Sequence, residues 1–257
     1  MKNSKVLLTI VSVIRNDDQR FSRTLASLFE VHRSNMFEHI VIENIENKVD
    51  LSFSIKLKRN PYIRYFNDSK NINGIYNAMN FGINKAEGDY ILFLNAGDRL
   101  IMSKNNIVDI IRDLIINFSS ADIVCFNAFL NFEKEKVLIT PKKGLFYKMP
   151  TSHQAMIMKS SFLKLKKFNL IYKIASDFDL VLNNKEKLYF YKSDVPLTMI
   201  EYGGYSSNNI FKAYLEYIKI IARNKSNKNK ALTLMLCIYK FVMILVFKSI
   251  IPEKFIF

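Results

Sequence analysis

The stretch DYILFLNAGD, Asp89 to Asp98, decides the fold. Tyr90 to Leu94 is a continuous apolar run, the pattern of a strand buried on both faces. It stops in Asn95-Ala96-Gly97-Asp98, small and polar, with a carboxylate just past the strand's C-terminal end. Working backwards, Gly74 to Ala86 has helical periodicity through Ile75, Met79, Gly82 and Ile83, and Gly88 closes it. Tyr62 to Phe66 predicts a strand and Asn44 to Asn60 a loop. His39 to Glu43 is a short buried strand ending in another carboxylate. Val6 to Ile14 is the first strand. Asp17 or Asp18 then stands where it would cap a helix with Phe21, Leu25, Leu28 and Phe29 on one face. The order strand, helix, strand, strand, helix, strand predicts an α/β chain with a mainly parallel sheet covered by helices. Ligands of such sheets bind beyond the carboxyl ends of the strands. Asn16, Asp17, Glu43 and Asn95 to Asp98 all fall there, so these polar ends mark a candidate site.

Downstream, Ser103 to Phe118 reads as a helix. Asp122 to Thr140 reads as two strands joined by a charged turn, Glu133-Lys134-Glu135. Ser152 to Met158 is a further strand with a short helix after it. Ala175 to Asn183 begins a helix bearing Asp177 and Asp179, and Tyr189 to Glu201 is strand-like, broken by Pro196 and ended by Gly203-Gly204. The character changes after residue 207. Ile210 to Ala222 is amphipathic, with Phe211, Tyr214, Leu215, Ile218 and Ile221 opposite Lys212, Glu216 and Lys219. A basic polar run, residues 223–230, leads into the almost wholly apolar Ala231 to Phe247. A spanning helix needs ~20 apolar residues, so this segment is marginal as one. Basic residues beside an apolar helix fit an interfacial anchor on an anionic leaflet. A terminal helix packed on the domain, or a dimer contact, is the other reading. The expected division is therefore 1–207 for the α/β domain and 208–257 for a helical appendage.

Composition narrows the partners. At 257 residues and 49% hydrophobic, the chain is long and apolar enough for a sizeable core. A net charge of +15 calls for an anionic partner. With no zinc-ligand set and no basic run interleaved with aromatics, nucleic acid ranks below a membrane surface or a phosphorylated substrate. The apolar start is followed by Arg15-Asn16-Asp17-Asp18 and not by a small-residue cleavage site, so a secretory leader is not expected. Cys125 and Cys237 lie far apart in apolar runs, as buried free thiols would.

Taken in order, TIVSVIRND, HIVIEN, NGIYNAMNFGINKAEGDYILFLNAGD, SHQAMIMKSSF, YKIASDFDLVL and IEYGGYS resemble the family 2 glycosyltransferases of bacterial colanic acid, capsule and O-antigen assembly, over roughly residues 5–207. The resemblance implies the GT-A, nucleotide-diphospho-sugar transferase fold, with a Rossmann-like sheet. It also implies a nucleotide-diphosphate-sugar donor, an inverting transfer and a divalent cation, Mn²⁺ or Mg²⁺. By that resemblance Asp98 is the metal ligand, at a strand end where the family commonly has two acids and this chain has Ala96 in place of the first. Asp177 matches the catalytic base, with Asp179 in support. Asn16, Glu43, Asp68, Asn95, Ala96, Gly97, His153 and Gln154 fall at donor or acceptor positions. Glu43 replaces the usual aspartate, and the turn after it is not glycine-rich. The acceptor implied is a polyprenyl-diphosphate-linked oligosaccharide on the inner face of the bacterial cytoplasmic membrane, with the enzyme cytoplasmic and peripheral. The altered nucleotide motifs leave a second reading open, a weak or inactive homologue acting as a binding subunit. A nucleotidyltransferase would want a glycine-rich basic loop after the first strand, and Arg15 to Asp18 has no glycine.

Overall fold

The computed structural model describes residues 5–45, 50–67, 74–132, 135–144, 146–224 and 229–247. In chain order these form β1 (Leu8–Arg15), α1 (Asp18–Ser27), α2 (Phe29–His32), β2 (Phe37–Asn44), α3 (Ser52–Arg59), β3 (Arg64–Asn67), α4 (Ile75–Lys85), β4 (Tyr90–Phe93), β5 (Arg99–Leu100) and α5 (Lys104–Asn117). There follow β6 (Ile123–Cys125), β7 (Ala128–Phe132), β8 (Glu135–Ile139), β9 (Met156–Lys159), α6 (Ser160–Lys166), α7 (Ser176–Asn183), β10 (Leu188–Phe190), β11 (Thr198–Glu201), α8 (Tyr205–Asn208), α9 (Ile210–Arg223) and α10 (Lys230–Phe247).

The main sheet has strand order β10-β6-β9-β4-β1-β2-β3. All neighbours are parallel except β9, which runs antiparallel to both β4 and β6. From β1 the chain winds outward through β2 to β3, then returns to place β4 on β1's other side. Strand order reverses there, and at such a switch point the loops after two strands part to leave a crevice. The loops after β1 and β4 are Asn16-Asp17 and Asn95 to Asp98.

Each face of the sheet is covered. Met79 and Ile83 of α4 pack with Val11, Ile42, Ile91 and Phe93 on one side. Leu28, Ile107, Ile111 and Leu114 pack with Leu8, Ile10 and Leu92 on the other. Burying one such aliphatic side chain contributes about 1.5–3 kcal/mol, which is why the apolar runs, more than local propensity, fix these strands. Gly88 has a packing reason: a Cβ there would lie 2.6 Å from the Thr9 backbone nitrogen.

Four sequence expectations change. Asn44–Asn60 contains α3, whose Leu57 and Ser54 are buried. Phe29 is 59% exposed, because α1 ends at Ser27 and Phe29 opens α2. The α1 N-cap is Asp17, yet its side chain makes no capping bond. Asp122–Thr140 holds three strands. β6 joins the main sheet, while β7 and β8 form a hairpin in a second sheet of order β5-β11-β7-β8. Residues 133 and 134 of the expected turn lie outside the described residues.

Candidate active site

Asn95 to Asp98 forms a tight turn. The Asp98 N–H donates to the Asn95 carbonyl at 3.1 Å, and Gly97 at the third position has φ +99°. That conformation is open to glycine and costly for other residues. Thr24 of α1 locks the turn: its hydroxyl donates to the Asn95 carbonyl at 3.1 Å and accepts from the Gly97 N–H at 3.0 Å. Ala96 packs against the apolar cluster of Ile14, Phe21 and Leu57.

Asp98 is 3% exposed. One carboxylate oxygen accepts from the Glu201 N–H at 3.1 Å, the other from Gln154 Nε2 at 3.1 Å. Burial pushes its carboxyl up to about 6, against the opposing pull of these donors and of nearby His153. Asn95 Oδ1 accepts from the Val13 N–H at 3.4 Å, which ties the β4 end to β1.

Asp177 lies in the first turn of α7. Its Oδ1 accepts from its neighbour's N–H, Phe178, at 2.8 Å. The Tyr76 hydroxyl sits between Asp177 Oδ1 at 3.0 Å and the Ile174 carbonyl at 2.6 Å. Asp177 Oδ2 lies 3.0 Å from His153 Nδ1. A hydrogen on Nδ1 answers the carboxylate and leaves Nε2 as an acceptor, facing Asn95 Nδ2 at 3.5 Å. A short 3₁₀ turn, His153–Ala155, therefore bridges the two acids: His153 reaches Asp177 and Gln154 reaches Asp98. Ser152 holds the Gln154 amide oxygen, and Thr198 holds its carbonyl at 3.0 Å.

The remaining expected residues differ in placement. Asn16 is exposed at the end of β1 with φ 48°, a left-handed conformation that Asn tolerates better than most residues. Glu43 is fully buried and accepts from the Tyr65 hydroxyl at 2.8 Å. Asp68 lies outside the described residues. Asp179 bonds Asn169 and Asn183, away from the Asp177 pair. Three groups that sequence reasoning passed over belong here. Tyr76 sits on the buried stripe of α4, where period alone reads as core. The Glu201 N–H reaches Asp98, and a backbone donor leaves no trace in residue type. The Arg20 guanidinium lies against Gly97, with Nε 2.8 Å from where a Cβ would stand, and it pairs with Asp17 at 3.7 Å.

Among the described residues no group of three or more His, Cys, Asp or Glu side chains is arranged to hold a metal ion. Each Asp98 oxygen accepts one hydrogen bond and keeps a second lone pair. The rim therefore fits an ion anchored by a single carboxylate and completed by diphosphate oxygens, as Mg²⁺ sites often are.

The fold and rim define the class: a GT-A-type α/β protein with acids gathered at the strand ends. Residues 9–104 match the family model for glycosyl transferase family 2. Solved structures share the fold. S. aureus TarS 1–349 superposes with TM-score 0.67 at 15% identity, covering 97% of this chain and 76% of that one. The same TarS fragment in complex with UDP-GlcNAc gives TM-score 0.62 at 15% identity, with 91% and 72% covered. Mannosyltransferase PcManGT from Pyrobaculum calidifontis, in complex with GDP-Man and Mn²⁺, gives 0.65 at 9% identity, with 93% and 70% covered. No curated protein matches the sequence.

Proposed function

We propose that the protein is an inverting glycosyltransferase that moves a sugar from a nucleotide-diphosphate donor to a lipid-linked surface-polysaccharide oligosaccharide. The observation that carries this is the bridging of Asp98 and Asp177 by the adjacent pair His153-Gln154, which joins a diphosphate-side acid and an acceptor-side acid on one rim. Asp98 would hold Mn²⁺ or Mg²⁺; when bound, the ion offsets charge on the departing diphosphate. Arg20 beside Gly97 adds a cation at the same turn. The acceptor oxygen attacks the anomeric carbon as the bond to diphosphate breaks, and its proton passes to the Asp177–His153 pair. Tyr76 and the Phe178 N–H hold Asp177 in place for this. Asn16, Asn95, Ala96 and Gly97 line the donor side in this reading, with Glu43 beneath it.

Membrane association belongs to the same proposal. No described helix is long and apolar enough to cross a membrane, and α10 presents exposed apolar side chains, including Met235, Tyr239 and Val242. An interfacial helix is the form these features support.

The deeply buried Asp98 and the apolar setting of Ala96 favour a second reading, a homologue that binds but turns over weakly. Transfer and hydrolysis of a nucleotide-sugar panel, measured with Mn²⁺, separate the two. Asp98→Ala should abolish turnover of the donor that works, and Asp177→Asn should lower it at least about a hundredfold. Equal rates in the variants and the parent would reject the catalytic reading.

A further inference from the structure

Away from the Asp98 rim the molecule has a second concave surface. A groove of about 1070 Å³ opens between the C-terminal halves of α1 and α3, with α2 on one wall. Helix α1 leads through α2 to β2, and α3 leads to β3, so their C-terminal ends stand beside the starts of those parallel strands. The Asp98 rim lies at the other edge of the sheet, where the strands end. The groove's frame is held from below. Leu25 packs on the cluster of Ile14, Phe21 and Leu57. The His32 ring lies parallel to that of Tyr62, 4° apart with centroids at 6.0 Å, and stacks on His39 at 5.1 Å. His32 Nε2 also lies 2.9 Å from Nδ1 of buried His39. The Tyr62 N–H donates to Asn60 Oδ1 at 3.0 Å, which sets the turn before β3. Tyr62 is thus the outer plate of a ring stack anchored in the core, yet it is 54% exposed.

The same groove gathers cations. Arg33, Lys56 and Arg59 line it, all of them exposed, and among the described residues no carboxylate does. Lys56 and Arg59, three residues apart, share one face of α3. Arg33 follows α2, its guanidinium carbon 5.4 Å from the centroid of the exposed Phe29 ring. Basic residues at helix C-termini complement the helix dipole, which explains Lys56 and Arg59 one at a time. It does not explain exposed rings beside them. No single run of the sequence interleaves these groups; segments 29–33 and 56–62 meet only in the fold.

We propose that this groove binds a nucleoside diphosphate, with its base stacked on Tyr62 and its phosphates held by Arg33, Lys56 and Arg59. Inorganic phosphate would use only the cations, and an uncharged aromatic only the rings. A nucleotide uses both: guanidinium groups take phosphate oxygens two at a time, and every base offers a face to a tyrosine. The volume is that of a small-molecule site. The groove is separate from the rim where a donor would lie, so the proposal stands or falls independently of the transferase reading.

Calorimetric titration of the full chain with ADP, GDP, UDP and CDP, without divalent cation, tests it. At least one should bind. Arg59→Gln should weaken that binding about tenfold, the loss expected of one charge-assisted phosphate contact. Tyr62→Ala should weaken it about fivefold or more, as loss of a stacking partner does. Tyr62→Phe keeps the ring and should keep the affinity. Asp98→Ala, altered only at the rim, should bind as the wild type does. The melting temperature of Arg59→Gln should match wild type, which shows that the variant folds. Binding lost in Asp98→Ala and unchanged in Arg59→Gln would place the nucleotide at the rim and overturn the groove site, as would binding of none of the four. Equal competition by inorganic pyrophosphate would make the groove a plain anion site and overturn the stacked base. Poly-glutamate or single-stranded RNA binding there more tightly than any mononucleotide would assign the groove to a macromolecule and overturn the proposal. Donor turnover judges the transferase reading separately.

Discussion

Asp98 is the residue on which the chemistry and the stability of this fold pull in opposite directions. Burial holds its carboxyl at about 6, above the ordinary 3.8. The sign follows directly. Between pH 3.8 and about 6 the unfolded chain releases its proton and the folded chain keeps it, so stability falls as pH rises through that window and stays lower above it. The cost of the buried charge at neutral pH is at most about 3 kcal/mol. Asp98→Asn should therefore gain stability relative to wild type as pH rises from 4 to 7, read as a growing difference in melting temperature. A constant difference would mean that Asp98 is ionised throughout. In the proposed mechanism the metal and donor diphosphate meet the charged form of Asp98, so donor-induced stabilisation should weaken as pH drops below about 6. Asp177→Asn and His153→Ala should each lower kcat by at least about a hundredfold, the usual contribution of a positioned acid or base. The double variant should lose little more than either single one, because residues that act as a unit are not additive. Independent, multiplying losses would show that the pair does not work together.

At the scale of elements, Asp177, the proposed base, depends on a helix from the distal part of the sequence. Glu216 of α9 accepts from the N–H groups of Lys173, Ile174 and Ala175 at 3.0, 2.9 and 2.8 Å. It thereby satisfies the donors of the segment that leads into α7, up to its N-cap Ala175. Glu216→Ala should cost about 2 kcal/mol or more in denaturant unfolding. It should also lower kcat, since Ile174 and Tyr76 frame Asp177 from the same segment. Full stability in that variant would show that water replaces the carboxylate. The strands and helices of the first hundred residues were largely legible, because β1, β2, β4 and α4 owe their form to apolar periodicity. Helix α3 was missed because only Ser54 and Leu57 are buried among its eight residues, too few to outweigh a polar sequence. The two-residue strand β5 was invisible for another reason: it exists only by pairing with β11, about a hundred residues away.

Across the whole molecule, a hydrogen-bonded line runs from the site strand to the opposite layer. The Ser12 hydroxyl donates to the Leu94 carbonyl at 2.5 Å, His39 Nε2 lies 3.0 Å from Ser12 Oγ, and His32 Nε2 lies 2.9 Å from His39 Nδ1. With its hydrogen committed to Leu94, Ser12 can only accept from His39, so His39 Nδ1 must accept from His32. A second proton on His39 would break that order. Burial, and then the neighbouring His32, hold His39 down to about 3. The unfolded chain takes up that proton below about 6.5, so stability is lost as pH falls from there. His39→Gln should flatten the decline in melting temperature between pH 6.5 and 4, and an unchanged slope would show that other groups set acid lability. The change in sequence character at residue 207 is likewise not a break in packing: Ile210, Tyr214 and Ile221 share one cluster with Phe178 and Leu182 of α7. The sequence by itself determined the α/β class, the buried strands and the acid at the end of DYILFLNAGD, because periodic burial and a strand's polar end are local properties. Only the tertiary structure decided that Gln154 and the Glu201 N–H hold that acid, that His153 faces Asp177, that Glu43 is sealed beneath Tyr65, and that Ala96 belongs to an apolar cluster. Those are matters of which surfaces meet across dozens to a hundred residues, and no local pattern encodes them.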